Sequence, residues 1–198
     1  LKKIKDLKLD GIIVSDLGML SLVKKVLPKL SIHISTQANA VNGETVKMWQ
    51  KLGASRVVLA RELTFKEISE IKKKNPKVEL EVFGHGAMCI AYSGRCLLSK
   101  YFTGREANLG DCAQSCRWKY NIKSRDFFIE EETRPNDFLP IQEDENGTYI
   151  MNSRDMCALD VIDKFIEAGI DSLKIEGRAK TVYYLAVVTG AYRKAIDT

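Results

Sequence analysis

Gly169-Ile170-Asp171-Ser172-Leu173-Lys174-Ile175-Glu176-Gly177 decides the reading of the fold, because two other stretches repeat its plan. Gly53-Ala54-Ser55-Arg56-Val57-Val58-Leu59-Ala60-Arg61-Glu62 is one, and Asp10-Gly11-Ile12-Ile13-Val14-Ser15-Asp16 is the other. Each runs from Gly through a small polar residue into a short β-branched or Leu-rich run that closes on charge. A glycine just past a helix end takes the left-handed conformation that a Cβ opposes, so Gly53 and Gly169 mark helix stops. The apolar runs fit strands buried on both faces of a parallel sheet.

Helical patterns fill the intervals. Thr64-Phe65-Lys66-Glu67 reads as a capping box, followed by Ile68 and Ile71 on one side before Pro76 ends the helix. Met48 and Leu52, then Val161, Phe165 and Ala168, then Leu185, Val188, Tyr192 and Ala195 keep the helical period. Strands are read near 12–15, 31–36, 56–61, 78–83, 148–152 and 172–176. Strand–helix alternation predicts a parallel sheet with right-handed crossovers. The fold class expected is α/β, a (β/α)8 TIM-like barrel incomplete at its N-terminus. The alternative, an open doubly wound sheet, lacks a Gly-rich phosphate fingerprint after any strand.

The chain has 198 residues, enough for one sizeable core, with ordinary hydrophobic (45%) and charged (29%) fractions. No apolar run approaches the roughly 20 residues that span a bilayer, so no membrane partner is expected. Leu1-Lys2-Lys3-Ile4-Lys5 lacks the apolar centre of a signal peptide. The start, without Met and in a helical pattern, reads as a piece of a longer chain. A formal net charge of +5 permits nucleic-acid contact without demanding it. The cysteine count is five, and an odd number argues against a disulfide framework. Reduced thiols fit a cytoplasmic location.

Between Met88 and Asn146 the helical rhythm stops, and cysteines, arginines and aromatics take over. Asn146-Gly147, flanked by 138–143 and 148–152, is a hairpin signal. The expected organisation is one domain: barrel units over 1–88, a Cys-rich insertion with hairpin over 89–147, and the last barrel units over 148–198. An insertion after a strand lies at the C-terminal mouth, where barrels do their chemistry. Cys89, Cys96, Cys112, Cys116 and Cys157 all fall in or beside it. Their spacing admits structural zinc, with Cys112 and Cys116 as a close pair. It also admits an iron–sulfur cluster, which tolerates wide spacing, or a set of buried thiols.

The run Glu81-Val82-Phe83-Gly84-His85-Gly86-Ala87-Met88-Cys89, continuing through Gly94-Arg95-Cys96-Leu97-Leu98-Ser99, resembles the signature of the collagenase-like peptidase family U-32 position for position. Gly104-Arg105, Asn108, Gly110, Cys112, Gln114, Cys116-Arg117 and Tyr120 are similar to the family, as are 149–157 and Lys174-Ile175-Glu176-Gly177-Arg178. The resemblance covers essentially the whole chain. It implies a barrel with a [4Fe–4S] cluster and oxygen-independent hydroxylation of an RNA base, with prephenate as a co-substrate. A tRNA wobble uridine is the target that the Tyr-Ile-Met-Asn-Ser and Cys-Arg-x-x-Tyr stretches suggest. The ligand set it implies is Cys89, Cys96, Cys112 and Cys157, with Cys116 as substitute. Implied partners are tRNA or rRNA and a second protein of the family. The family's name instead implies a peptidase, and a non-catalytic RNA-binding module is the third reading.

For proteolysis, the chain has no H-E-x-x-H and no G-x-S-x-G, and only two histidines, His33 and His85. A pair of His85 with Cys89 is conceivable unless Cys89 ligates iron. Polar residues at strand ends are the candidates for substrate contact: Arg61, Glu81, His85, Glu176 and Arg178 first. Asp16, His33, Ser35, Gln37, Asn39, Glu62, Asn152 and Asp155 complete the set. The plainer account has Arg61, Glu62, Glu81 and Arg178 pairing as salt bridges. Arg95, Lys100, Arg105, Arg117, Lys119, Lys123 and Arg125 interleave with Tyr92, Tyr101, Phe102, Trp118 and Tyr120. Cations for phosphates and rings for unpaired bases suit single-stranded RNA.

Overall fold

A computed structural model of the chain describes residues 1–89, 91–118, 128–130, 138–140, 142–144, 147–149 and 155–198. In chain order the elements are β1 (Gly11–Val14), α1 (Leu17–Val26), β2 (Ser31–Ile34), α2 (Gly43–Lys51), β3 (Arg56–Val58), α3 (Phe65–Lys74), β4 (Glu79–Gly86), α4 (Leu98–Thr103), β5 (Phe128–Glu130), β6 (Phe138–Pro140), β7 (Gln142–Asp144), β8 (Gly147–Tyr149), β9 (Met156–Cys157), α5 (Ile162–Glu167), β10 (Ser172–Ile175) and α6 (Val182–Asp197). They divide into two compact units, Leu1–Ala87 with Asp155–Thr198, and Met88–Arg154.

The larger unit is a mixed α/β structure built on one sheet. Strands β1, β2, β3, β4 and β10 lie side by side in that order, all parallel, and β9 joins β4 antiparallel. Among the described strands the order never reverses, so they show no switch point of the doubly wound kind. Local chemistry sets the helix starts. Asp16 accepts the Met19 N–H at 2.8 Å to cap α1, and Asn42 accepts that of Thr45 at 2.9 Å to cap α2. At α3 the capping box closes as read: Thr64 accepts from the Glu67 N–H, and Glu67 accepts from the Thr64 N–H at 2.8 Å. Gly53 and Gly169 have φ of +99° and +75°, the left-handed conformation expected after a helix.

Strand period two sends Val14, Ile32, Ile34, Val57, Leu80 and Val82 into one core. Leu20, Val23, Val46, Ile68, Ile71 and Phe165 meet them from α1, α2, α3 and α5. The alternate positions include His33, Arg56, Glu81 and Lys174, and Ile13 among them is 53% exposed. Strands apolar on both faces were expected. Here the helices cover one face, and the other mixes polar chains with the buried Val58, Glu81 and Phe83.

Strand bounds also differ: β2 and β3 stop at Ile34 and Val58, short of the 31–36 and 56–61 read from the sequence. β4 runs to Gly86 because β10 and β9 both pair its second half. Its third residue is therefore Glu81, which the sequence reading had placed at a strand end. The strand read near 148–152 is β8, and it pairs antiparallel with β7, Asp144 opposite Gly147, as the hairpin signal requires. Residues 150–152 lie outside the described residues.

The smaller unit holds α4, two single-turn 3-10 helices (Ala107–Leu109 and Ser115–Arg117) and the ladders β5–β6 and β7–β8. Polar contacts organise its described part. Ser99 Oγ accepts from the Ala113 N–H at 2.9 Å, and Trp118 Nε1 donates to the Ala113 carbonyl at 3.2 Å. Lys100 pairs with Glu106 at 2.7 Å and Arg105 with Asp111 at 2.6 Å. The buried residues among those described are Ser99, Ala107 and Ser115, all small.

Candidate functional site

Strand β4 presents Glu79, Glu81 and Phe83 at alternate positions, and partners from neighbouring strands meet each. Glu81 is 7% exposed and its carboxylate accepts from Arg56, Lys174 and Ser172, each at 3.1 Å. Burial pushes this carboxyl up, but Lys174, with hydrogen bonds from Lys174, Ser172 and Arg56, outweighs burial and holds it below the ordinary glutamate value. Arg56 also binds Glu79 at 2.7 Å, so two cations and two carboxylates balance across β3, β4 and β10. Arg61, just past β3, sets its guanidinium carbon 3.7 Å from the Phe83 ring centroid. Lys174 Nζ stands 5.7 Å from the same ring.

His85 leaves that row. The ladder between β4 and β10 shifts register between Lys174 and Ile175, a bulge at Gly84 that re-aims the next side chain. His85 Nδ1 lies 3.4 Å from the Tyr192 hydroxyl on α6, and its ring lies 5.8 Å from that of Tyr184. Tyr192 donates to the Gly84 carbonyl at 2.7 Å and accepts from the Ala158 N–H at 2.9 Å. Burial first, then the neighbouring Cys157, pushes the Tyr192 phenol up to about 12. The Tyr184 hydroxyl is buried without a hydrogen-bond partner among the described residues, and burial, then Asp155, raises its pKa. Lys180 pairs with Asp155 at 2.9 Å and stands 5.1 Å from the Tyr184 ring centroid.

Glu176 follows β10 directly. Its N–H donates to the His85 carbonyl at 2.8 Å, and its carboxylate accepts from the Arg178 N–H at 3.0 Å. Gly86 makes this approach possible: at φ +106°, an added Cβ would fall 2.3 Å from the Glu176 carbonyl oxygen. Arg178 is exposed.

Four of the five cysteines belong to the smaller unit, and none of the five forms a disulfide. Burial raises the Cys116 thiol, Arg117 opposes, and Cys112, Cys89 and Cys96 raise it further. Cys112, Cys89 and Cys96 are therefore near enough to Cys116 to act on its thiol electrostatically. Cys112 Sγ accepts the Gln114 N–H at 3.3 Å, and Cys89 Sγ accepts from Ser93 at 4.0 Å. Among the described residues, no three His, Cys, Asp or Glu side chains gather tightly enough to hold a single metal ion. Bonds of about 2.3 Å to one tetrahedral zinc would bring sulfurs to roughly 3.8 Å of each other.

Other candidates take structural duties. Asp16 caps α1, and Ser35 caps the 3-10 turn Thr36–Ala38, which Asn39 closes in the left-handed conformation. His33 sits near the sheet's other end, its Nε2 3.2 Å from Ser31 Oγ, with its pKa lowered by burial and then by Arg56. Asn152, Lys119, Tyr120, Lys123 and Arg125 lie outside the described residues. Tyr184, Tyr192 and Lys174 were not among the sequence candidates. Tyr192 was legible only as an apolar position of a helix, and the glycine inside β4 was the available sign of a bulge.

Comparison with known proteins fits this geometry to a family. The profile of Peptidase family U32 matches residues 1–198. The tRNA hydroxylation protein P of Escherichia coli K12 is 43% identical across the whole chain, which covers 51% of that protein. The tRNA hydroxylation protein P1 of Bacillus subtilis 168 is also 43% identical across the whole chain, covering 44% of it. The 23S rRNA 5-hydroxycytidine C2501 synthase of E. coli K12 is 36% identical over 95% of the chain, covering 26% of that protein. The chain thus spans about half the length or less of these relatives. With its signature run placed on β4 and on the thiol-bearing segment after it, the chain belongs to peptidase family U32.

Proposed function

We propose that this chain is the barrel portion of an iron–sulfur enzyme that hydroxylates an RNA base without molecular oxygen, with a tRNA wobble uridine as target. What supports this reading is the match of the whole chain to the family, with Cys89, Cys96 and Cys112 near enough to Cys116 to act on its thiol. Cys89, Cys96, Cys112 and Cys157 are assigned as ligands of a [4Fe–4S] cluster, which supplies electron transfer when bound. Cys116, whose thiol burial keeps protonated, is assigned as a packing residue beside them.

The parallel strand order without reversal, with helices on one face, supports a (β/α)8 barrel completed by chain beyond these residues. In it, Arg61, His85, Glu176 and Arg178 follow or end strands and are assigned to substrate. Arg61, its guanidinium held against Phe83, is suited to the carboxylates of prephenate. Glu81 is assigned instead to holding β3, β4 and β10 together.

Names of the relatives support RNA as partner, and so does the surface of the smaller unit. Tyr101 is 82% exposed on α4, with Phe102 5.0 Å from it and Trp118 5.8 Å from Phe102, ring to ring. Arg95 and Arg117 belong to the same segment. No described helix is long and apolar enough to cross a membrane, and a cytoplasmic location with a second family protein as partner completes the proposal.

The test is nucleoside mass spectrometry of tRNA and rRNA from a deletion strain. Loss of one hydroxylated nucleoside, restored by the intact gene and not by Arg61→Ala with Arg178→Ala, is expected. Unchanged nucleosides, together with cleavage of gelatin or peptides by the purified protein, would replace hydroxylation with proteolysis.

A further inference from the structure

In the smaller unit the aromatic rings are open to solvent, while most of the cations beside them are already engaged. Lys100 Nζ holds Glu106 at 2.7 Å, and Arg105 holds Asp111 through Nε at 2.9 Å and Nη2 at 2.6 Å. Arg117 donates to the Met88 carbonyl at 3.3 Å. Arg95 is exposed and makes no side-chain hydrogen bond or ion pair among the described residues. A phosphate approaching Lys100 or Arg105 meets a carboxylate less than 3 Å from the cation, so attraction and repulsion nearly cancel. The rings are placed differently. Tyr101 is 82% exposed, Phe102 44% and Trp118 38%. The planes of Tyr101 and Phe102 cross at 80°, and those of Phe102 and Trp118 at 49°. Trp118 Nε1 is tied to the Ala113 carbonyl at 3.2 Å, which fixes that ring before anything binds.

We propose that this surface recognises RNA by its bases, one unstacked base to a ring, and that Arg95 alone of the unit's four described cations meets a phosphate. Ring faces inclined at 80° and 49° cannot extend one parallel stack, so each takes a base that has left its own stack. Bases in a duplex have both faces covered, whereas a loop whose bases turn outward offers them singly. Every base has a π-face, so stacking supplies affinity that needs no phosphate charge. The ion pairs of Lys100 and Arg105 thus move recognition from the backbone to the bases. That the ligand is RNA rests on the function proposed above. Leu97, 78% exposed just before α4, makes a protein the rival occupant, and the names of the relatives favour RNA over it.

The test is a salt titration of binding by the intact, anaerobically purified protein to a labelled RNA hairpin with an unpaired loop, beside a fully paired duplex of the same length. The hairpin is expected to bind at least about tenfold tighter than the duplex. On single strands each phosphate contact adds about 0.7 to the slope of log affinity against log salt. Arg95→Ala should make the slope shallower by about 0.7, while Lys100→Ala and Arg105→Ala leave it nearly as it is. Tyr101→Ala should lower affinity at every salt concentration and keep the slope. Glu106→Gln, which releases Lys100, should tighten binding and steepen the slope by about 0.7, a gain that misfolding does not mimic. Equal binding of the duplex, or a slope that falls as far in Lys100→Ala and Arg105→Ala as in Arg95→Ala, overturns the proposal. Loss of self-association in Tyr101→Ala, with RNA affinity intact, overturns it too and makes the patch a protein contact. RNA bound with the expected slopes by a protein whose deletion leaves every nucleoside unchanged refutes hydroxylation and not this surface.

Discussion

The guanidinium carbon of Arg61 stands 3.7 Å from the centre of the Phe83 ring, and this contact joins the end of β3 to the middle of β4. A ring face stabilises a planar cation by about 0.5–1 kcal/mol at partly exposed sites and fixes the plane in which its N–H groups lie. Stability therefore depends little on the pair, whereas the substrate contact proposed for Arg61 would depend on the orientation the ring fixes. Arg61→Lys is expected to shift unfolding free energy by less than about 1 kcal/mol. The same change is expected to cut RNA hydroxylation in a complemented deletion strain by about 10–100-fold, the loss of a charged hydrogen bond of roughly 1.5–3 kcal/mol. Phe83→Leu should reproduce part of that loss with Arg61 still present. Denaturant unfolding and nucleoside mass spectrometry check the two halves.

The proposed ligand set separates the five cysteines. Cys89→Ser, Cys96→Ser, Cys112→Ser and Cys157→Ser are each expected to abolish the broad thiolate-to-iron absorbance of anaerobically purified protein and to lower bound iron. Cys116→Ser should retain both. Because the described core of the smaller unit is Ser99, Ala107 and Ser115, cluster loss should also expose residues 88–154 to proteolysis while the larger unit stays intact. Retention of iron by Cys157→Ser and its loss in Cys116→Ser would hand the fourth place to Cys116.

RNA contact is expected to run through Tyr101. A ring 82% exposed contributes little to folding, so Tyr101→Ala should leave stability within about 0.5 kcal/mol. Stacking of an unpaired base on such a ring is worth about 1–3 kcal/mol, so affinity for a single-stranded oligonucleotide should fall by roughly 5–150-fold. Phe102, closer to Trp118, should show a mixed effect on binding and stability. Equal binding by wild type and Tyr101→Ala would move the RNA surface elsewhere.

The helices were legible because their determinants are local. Thr64 and Glu67 lie three residues apart, and Gly53 and Gly169 need only their own backbone to stop a helix. The parallel sheet followed from strand–helix alternation, whereas the polar residues on its other face did not, since strands apolar on both faces were expected. The bulge at Gly84, the turn of His85 toward α6 and the burial of the Tyr192 hydroxyl were not legible. They join residues about a hundred positions apart, and nothing in the run around Tyr192 separates a core tyrosine from a hydrogen-bonding one. Glu81 was misread for a related reason: the length of β4 is set by β9 and β10, which arrive much later in the chain.

Glu81 yields the last prediction, in pH dependence. Its folded pKa lies below the ordinary value of 4.5, since Lys174, Ser172 and Arg56 favour the carboxylate over the opposition of burial. A depressed carboxyl contributes stability that is present above its unfolded pKa and lost as pH falls through its folded pKa. Wild-type stability should thus decline as pH drops below about 4.5, the unfolded reference. Glu81→Gln removes the charge and leaves Lys174 and part of Arg56 uncompensated at a buried site, at a cost of about 3–5 kcal/mol near neutral pH. Its decline in acid should be correspondingly shallower, so the two stability curves converge at low pH. Denaturant midpoints across an acid-to-neutral series measure both. Parallel curves, with the variant lower by the same amount throughout, would show that the side chain supports the strands by shape and not by charge.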